Sequence, residues 1–486
     1  MWPILCSDSE SRDVHMIGVY YGEGKPDNSN SFLEMYTDEA VNLVTNGIEY
    51  NGIQYEVRIH ALICDVPAKA FILNVKYHSG YNSCTKCDIV GTRIEGVTCF
   101  PSERSTNLRT DDSFKNFMYS GKGNYQVDET ILNRIPFLGL VSNVPLDYMH
   151  MVCLGVMRKL LLLWLHGPLG IKLSVNQSNI ISDALIEFRK SVPSDFARLP
   201  RSLKFLKLWK AIEFRQFLLY TGPVVLKDVL REDTYANFLT LHVAITILVS
   251  PIYSQNSQYV DYAEQLLNHV VASFEIIYGR RCVSHNVHNL THLAQDVRKY
   301  GALDNFSAFR FENYILCIKS MIRKSEKPLQ QISRRLIEYQ NALQTRSSNN
   351  GSTLQKIHID GPITNDTQID TQYKILHKDK LFFNCNNNGR DNCLMLSNGI
   401  LVEALNFAMS GDTTFVIGKR LISTDDLFYE PCTFSTFSIH IVKKNNDVKA
   451  WKCDAITAKL CRIPYNDNTF CIFPVCHTYN LAALNL

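Results

Sequence analysis

Four groups of side chains in this sequence have the types and spacing that chemistry requires. The first is Asp65 in ICDVPAKAF, an acid closing an apolar run and preceding a proline-led helix. Carboxylates converging at such a point hold Mg²⁺ in two-metal nucleases, because the ion takes oxygen ligands and keeps water and phosphate in its other positions. Aspartate is also a preferred helix N-cap, which is the structural alternative. The second is Cys84-Thr-Lys-Cys87, a C-x₂-C that makes half of a zinc site or, alternatively, two inert thiols. Its other donors would come from Cys99, Cys282, His285, His288 and His292, of which His288 and His292 share a helix face at i and i+4. The third is Asp147 and His150 in PLDYMHMVCLGVMRKLL, at the start of a long apolar helix. An acid there complements the helix dipole, and with an imidazole one turn on it could also serve a metal or a phosphate. The fourth is Glu312 in FSAFRFENYILCIKSMIRK, flanked by Phe309, Phe311, Ile315 and Ile318. A carboxylate among apolar side chains is either a paired core charge or a functional ligand. Cations crowd the same stretch, including Arg310, Lys319, Arg323, Lys324, Arg334 and Arg335. They suit the phosphates of a nucleic-acid backbone, or equally a solvated helix face.

These groups need elements to carry them. Asp13 to Tyr21 is β-branched and aromatic and predicts a strand, Asn28 to Gly47 an amphipathic helix, and Tyr55 to Cys64 a second strand with Asp65 at its end. Pro67 opens a helix through Val75. Strand, helix, strand, helix predicts an α/β sheet, and ligand sites lie at the C-terminal edges of such sheets. His78 to Pro145 is irregular. Helical spacing then recurs over Tyr148 to His166, Asn179 to Ser191, Leu203 to Tyr220, Tyr235 to Ile252 and Tyr259 to Tyr278, and again over Phe306 to Ser325 and Pro328 to Thr345. Arg346 to Gln372 is polar and reads as a linker; from Tyr373 short apolar alternations predict a small β-rich domain.

Composition bounds the class. The 486 residues are 46% hydrophobic and 20% charged, a globular profile long enough for two or three domains. The apolar runs Leu160 to Leu165 and Leu241 to Val249 fall far short of the roughly 20 residues that cross a bilayer, so no membrane partner is expected. The N-terminus has neither a basic n-region nor a small-residue cleavage site, which predicts an intracellular protein rather than a secreted one. Fifteen cysteines, an odd number in so long a chain, predict free thiols and a metal pair rather than a disulfide framework. The formal charge of +3 carries no argument for nucleic acid by itself.

Taken in order, the blocks CDVPAKAFILNVKYHSGYNSCTKC, PLDYMHMVCLGVMRKLL, LWKAIEFRQFLLYTGPVVL and VHNLTHLAQDVRKYGALDNFSAFRFEN resemble those of the CACTA (En/Spm-like) DNA transposases, over roughly Met1 to Leu336. The resemblance implies a ribonuclease-H-like core interrupted by a large all-helical insertion, within an α/β chain that ends in the β-rich domain. The expected division is a core over 1–150 with the C-x₂-C loop, a helical insertion over 151–293, core-completing helices over 294–345, the linker 346–372 and the β-rich domain 373–486. By position, Asp65 and Glu312 would be the second and third catalytic acids and the Mg²⁺ or Mn²⁺ ligands, with Asp147 and His150 the signature pair beside them. Separately from the resemblance, the spacing of Cys84 and Cys87 with His288 and His292 makes a candidate zinc set. Arg310, Lys319, Arg323 and Lys324 would meet DNA, in the nucleus, and such transposases act as homo-oligomers. The family's first acid lies on an opening strand upstream of a segment like WPILCSD, and a DNA-binding domain usually precedes it. With Met1-Trp2-Pro3 at the start, the expectation is an N-terminally truncated copy without that aspartate, impaired in strand cleavage and transfer. The alternative is a catalytically inactive DNA-binding or protein-interaction module.

Overall fold

The computed structural model describes residues 1–8, 11–101, 106–121, 125–344, 352–364, 368–379, 381–386 and 389–479. They form a mixed α/β molecule with a C-terminal β-sheet. Two compact units divide the chain, Met1–Val156 with Val271–Ser348, and Met157–Val270 with Asn349–Leu486. Each unit is therefore assembled from two separated stretches of sequence.

The first unit opens with an antiparallel hairpin, Trp2–Ser7 against Val14–Tyr20. Helix Ser29–Asn46 follows, capped by the Asn28 side chain on the Ser31 N–H and closed by Gly47, whose φ of 69° an L side chain would resist. Leu33, Ala40 and Val44 bury one face of that helix in a core with Leu73, Phe114, Leu132 and Val144. The strand expected over Tyr55 to Cys64 does not form. Only Ile53–Tyr55 is paired, in a small hairpin with Ile48–Tyr50, and residues 56–64 join no sheet. The β-branched pattern gives an extended segment, with Ile59 and Leu62 packed on the core. It bonds to a loop instead: Leu62 N–H donates to Asn143 O, and the Asn143 side chain donates to His60 O. Among the described residues, the strands of this unit pair as two-stranded antiparallel sheets. Asp65 consequently stands at the start of helix Val66–Ile72 and not at a sheet edge.

Met149–Met157 is wound as a π-helix and runs on into the α-helical Arg158–His166. By length and composition Met149–His166 is apolar enough to cross a membrane, yet half of it is buried inside the protein, with Val152, Val156, Leu160 and Trp164 fully enclosed.

The second unit joins helices to the C-terminal sheet. Glu232–Val249 is buried on every side from Asn237 onward, as a central core helix is. The helix expected over Leu203 to Tyr220 is broken into a 3₁₀ turn, Leu203–Leu208, a short α-helix, Ala211–Gln216, and a π turn, Phe217–Thr221. The break falls where Glu213 turns back to accept the Lys210 N–H and takes Arg201 Nε and Nη2 at 2.5 and 2.7 Å. In the C-terminal part, strands Cys393–Leu396, Leu401–Ser410, Thr413–Asp425, His440–Lys452, Thr469–Pro474 and Ile456–Asn466 pair in a closed circuit, because Cys393–Leu396 bonds both Leu401–Ser410 and Ile456–Asn466. Such closure removes free edges from those strands. Thr371–Lys378 branches from this barrel and pairs with Thr353–His358 and Leu381–Asn384. Thr353–His358 is thus a strand inside the stretch expected as a linker; residues 346–351 and 365–367 of that stretch lie outside the described residues. A buried ionic knot holds the barrel to the loop at 194–195, with Lys459 donating to Asp391 at 2.8 Å and Asp195 at 2.5 Å, and Ser194 donating to Asp391 as well.

Candidate metal centre and acidic pocket

Cys84, Cys87, His288 and His292 are all buried, and one donor atom from each lies within 4.8 Å of the others. The cysteines sit on the irregular stretch after helix Val66–Ile72, and the histidines on the consecutive short turns His285–His288 and Asn289–His292. The Sγ–Sγ distance is 3.5 Å, Cys87 Sγ to His288 Nε2 is 3.3 Å, and His288 Nε2 to His292 Nε2 is 3.3 Å. Tetrahedral zinc bonds of ~2.0–2.3 Å require edges of roughly 3.3–3.8 Å, so the donor set fits a metal ion such as zinc. The surroundings favour thiolate at Cys84, while the bond to Cys84 and burial raise the Cys87 pKa. Burial alone would raise the Cys84 pKa, but hydrogen bonds from the Cys87 thiol and from the backbone N–H groups of Lys86 and Cys87, with Arg109 nearby, bring it down to about 7. Phe100 stacks on His288 at 5.8 Å and walls the centre from water.

Of the five donors the sequence left open, these two histidines are the ones brought to the cysteines. His285 turns aside to Ser83 O at 3.2 Å, and burial lowers its pKa to about 3, so it stays neutral. Cys99 donates to the carbonyls of Arg281 and Val97.

The same turns form one wall of a small cavity lined by Cys64, Asp65, Lys69, Asp147, His150, His285, Asn286 and Asn289. Asp147 is buried, and each of its oxygens serves two partners. Oδ1 accepts the N–H groups of Met149 and Ala308, at 3.2 and 2.8 Å; Oδ2 accepts the His150 N–H at 3.1 Å and meets His150 Nδ1 at 2.5 Å. That contact fixes the ring with Nδ1 toward the carboxylate. Burial would lower the His150 pKa, but the bond to Asp147 and the charges of Asp147, Asp65 and Glu312 raise it. Asp65 lines the cavity while its Oδ1 accepts the Ala68 N–H at 2.7 Å, the N-cap role. Burial pushes the Cys64 thiol up to about 12, which removes it as a nucleophile, and brings the Lys69 ammonium down to about 8.

Glu312 lies in the first turn of helix Phe309–Met321 and is exposed, not a buried core charge. Phe309, Ile315 and Leu316, three and four residues away, share its face of the helix, but that face is left largely uncovered, with Leu316 exposed and Ile318 the buried residue. Arg310 is half-buried and donates to Ser7 Oγ and to the carbonyls of Asp304 and Asn305. Lys319, Arg323 and Lys324 are exposed, while Arg334 and Arg335 pair with Glu338. Sequence reasoning passed over Lys69, Lys86 and Asp296, whose buried partners lie far away in the chain. The lysine inside C-T-K-C was the one visible signal.

A family described as a domain of unknown function (DUF8592) matches residues 357–475, which contain the barrel and neither the metal centre nor the cavity. No curated protein and no solved structure matches the chain.

Proposed function

We propose that the first unit is a ribonuclease-H-like nuclease core derived from a CACTA-type cut-and-paste DNA transposase, with zinc in the Cys84–Cys87–His288–His292 centre. The observation that carries this reading is that Asp65, Asp147 and His150 line one cavity, while Asp147 also accepts the N–H of Ala308 at the head of the helix that bears Glu312. Asp65 and Glu312 would hold Mg²⁺ or Mn²⁺, which when bound activates a water or a 3′-hydroxyl and neutralises charge on the phosphate. His150, held at Nδ1 by Asp147, has Nε2 left to exchange a proton or to bond a phosphate oxygen. Lys319, Arg323 and Lys324 would meet the DNA backbone, and the protein would act as an oligomer in the nucleus.

Two features favour a second reading, a DNA-binding or protein-interaction module without catalysis. The Asp65 carboxylate already caps a helix, and Glu312 stands exposed. Plasmid nicking with Mn²⁺, run beside an Asp65→Ala, Glu312→Ala double variant, decides between them. Nicking lost in the variant supports a nuclease; no nicking in either protein, with salt-sensitive DNA binding retained, supports the module.

A further inference from the structure

Between the metal centre and the cavity runs a buried chain of polar contacts that neither site needs for itself. Lys86 lies inside the C-x₂-C, and its backbone N–H donates to Cys84 Sγ at 3.4 Å. Its ammonium leaves the centre altogether, donating to Asp296 Oδ1 at 2.7 Å and to Val141 O at 3.2 Å. Both side chains of this ion pair are about 5% exposed or less. The second Asp296 oxygen accepts the N–H of Leu146 at 2.7 Å, one residue before Asp147. Lys69 donates to the carbonyl of Pro145 at 2.8 Å, so the backbone leading into Asp147 is held from two sides. Asp147 in turn fixes the His150 ring and the Ala308 N–H at the head of the helix that carries Glu312.

We infer that Lys86 and Asp296 are positioning residues that tie the state of the Cys/His metal centre to the geometry of Asp147 and His150. The inference rests on reading the four-residue cluster as a metal site, and it is independent of whether the cavity cleaves DNA. The physical reason is the cost of a broken buried pair. When a bound metal fixes the C-x₂-C loop, the Lys86 ammonium is delivered to Asp296. Without the metal the loop is free to move, and an Asp296 carboxylate stranded in the core must find another partner. That change alters the hydrogen bond that Asp296 accepts from Leu146, and with it the place from which Asp147 reaches His150. The turns at 285–292 add a second link, since His288 and His292 face the centre while His285, Asn286 and Asn289 line the cavity.

The test uses the full chain and three readouts: zinc content, the Nδ1 proton resonance of His150, and hydrogen exchange at the Ala308 amide. Lys86→Met is expected to keep its zinc, lose the His150 resonance and exchange the Ala308 amide faster, with Lys86→Arg restoring both signals. A merely structural pair would lower the melting temperature and leave the resonance in place; zinc-loaded Lys86→Met with wild-type signals overturns the inference. If Lys86→Met does not fold, zinc is withdrawn from the unmodified chain by a chelator and returned. The resonance is expected to vanish and reappear, and a resonance that ignores zinc again overturns the coupling. A wild-type chain that takes up no zinc overturns the metal-centre reading and the inference with it. Failure to nick DNA touches neither.

Discussion

Asp147 accepts the backbone N–H of Ala308, 161 positions further along the chain, at 2.8 Å. One buried carboxylate therefore sets both the start of its own helix and the start of the helix bearing Glu312. Asp147→Ala strands several donors at once, and hydrogen bonds to a charged group are worth about 1.5–3 kcal/mol each. The expected loss is at least about 3 kcal/mol in urea unfolding, with Asp147→Asn losing less. Two variants indistinguishable from wild type would refute this role.

The pH dependence of the Asp147–His150 pair has a definite sign. Its partner raises the His150 pKa in the folded state above the free value of about 6.5. Such a group contributes stability that is fully present below the free value and fades as pH rises through the raised one. His150→Gln should therefore lower the melting temperature more at pH 5.5 than at pH 9. A gap that stays constant across that range would count against the pairing.

Removing the metal should destabilise the first unit. A ligand at a thousandfold excess over its dissociation constant stabilises the folded state by about 4 kcal/mol. Scanning calorimetry with and without a chelator is expected to show a loss of that order, and Cys87→Ser should abolish the response. Identical scans in both conditions would argue that the thiols are inert.

Lys459 in the second unit has a side chain with no exposed surface, between Asp391, equally enclosed, and Asp195. Breaking a buried ion pair from one side costs about 3–5 kcal/mol, whereas replacing both partners by apolar groups can be neutral. Lys459→Met should lose stability in that range, and adding Asp391→Leu should recover part of it. A purely additive double variant would show that the two groups act independently.

What could be read from the sequence was whatever depends on near neighbours. The Asn28 cap, the apolar stripe of Ser29–Asn46 and the Gly47 stop are all local, and that helix forms where they place it. The alternation in Tyr55 to Cys64 is local too, but a strand also needs a ladder partner, and that depends on the rest of the fold. Barrel closure hangs on Cys393–Leu396 meeting Ile456–Asn466, which no short-range pattern announces. In the metal centre, Cys84 and Cys87 were legible from their spacing and His288 with His292 from their i, i+4 placement, while packing turns His285 away to Ser83 O. Glu312 could be read from sequence either as a paired core charge or as a ligand; it stands exposed because the helix face it shares with Leu316 is not covered, which only the surrounding fold decides.

Cys87 and His288 are separated by 201 positions, and between them the ribosome makes the whole helical stretch Met157–Val270 of the other unit. At about 5–20 residues per second, the thiols emerge roughly 10–40 s before the imidazoles that would complete their set. The newborn chain thus carries an unfinished claw, open to oxidation or to a thiol-seeking ion of the wrong kind. Its first unit cannot be completed until the helices of the second have been made, and the second in turn waits for Asn349–Leu486.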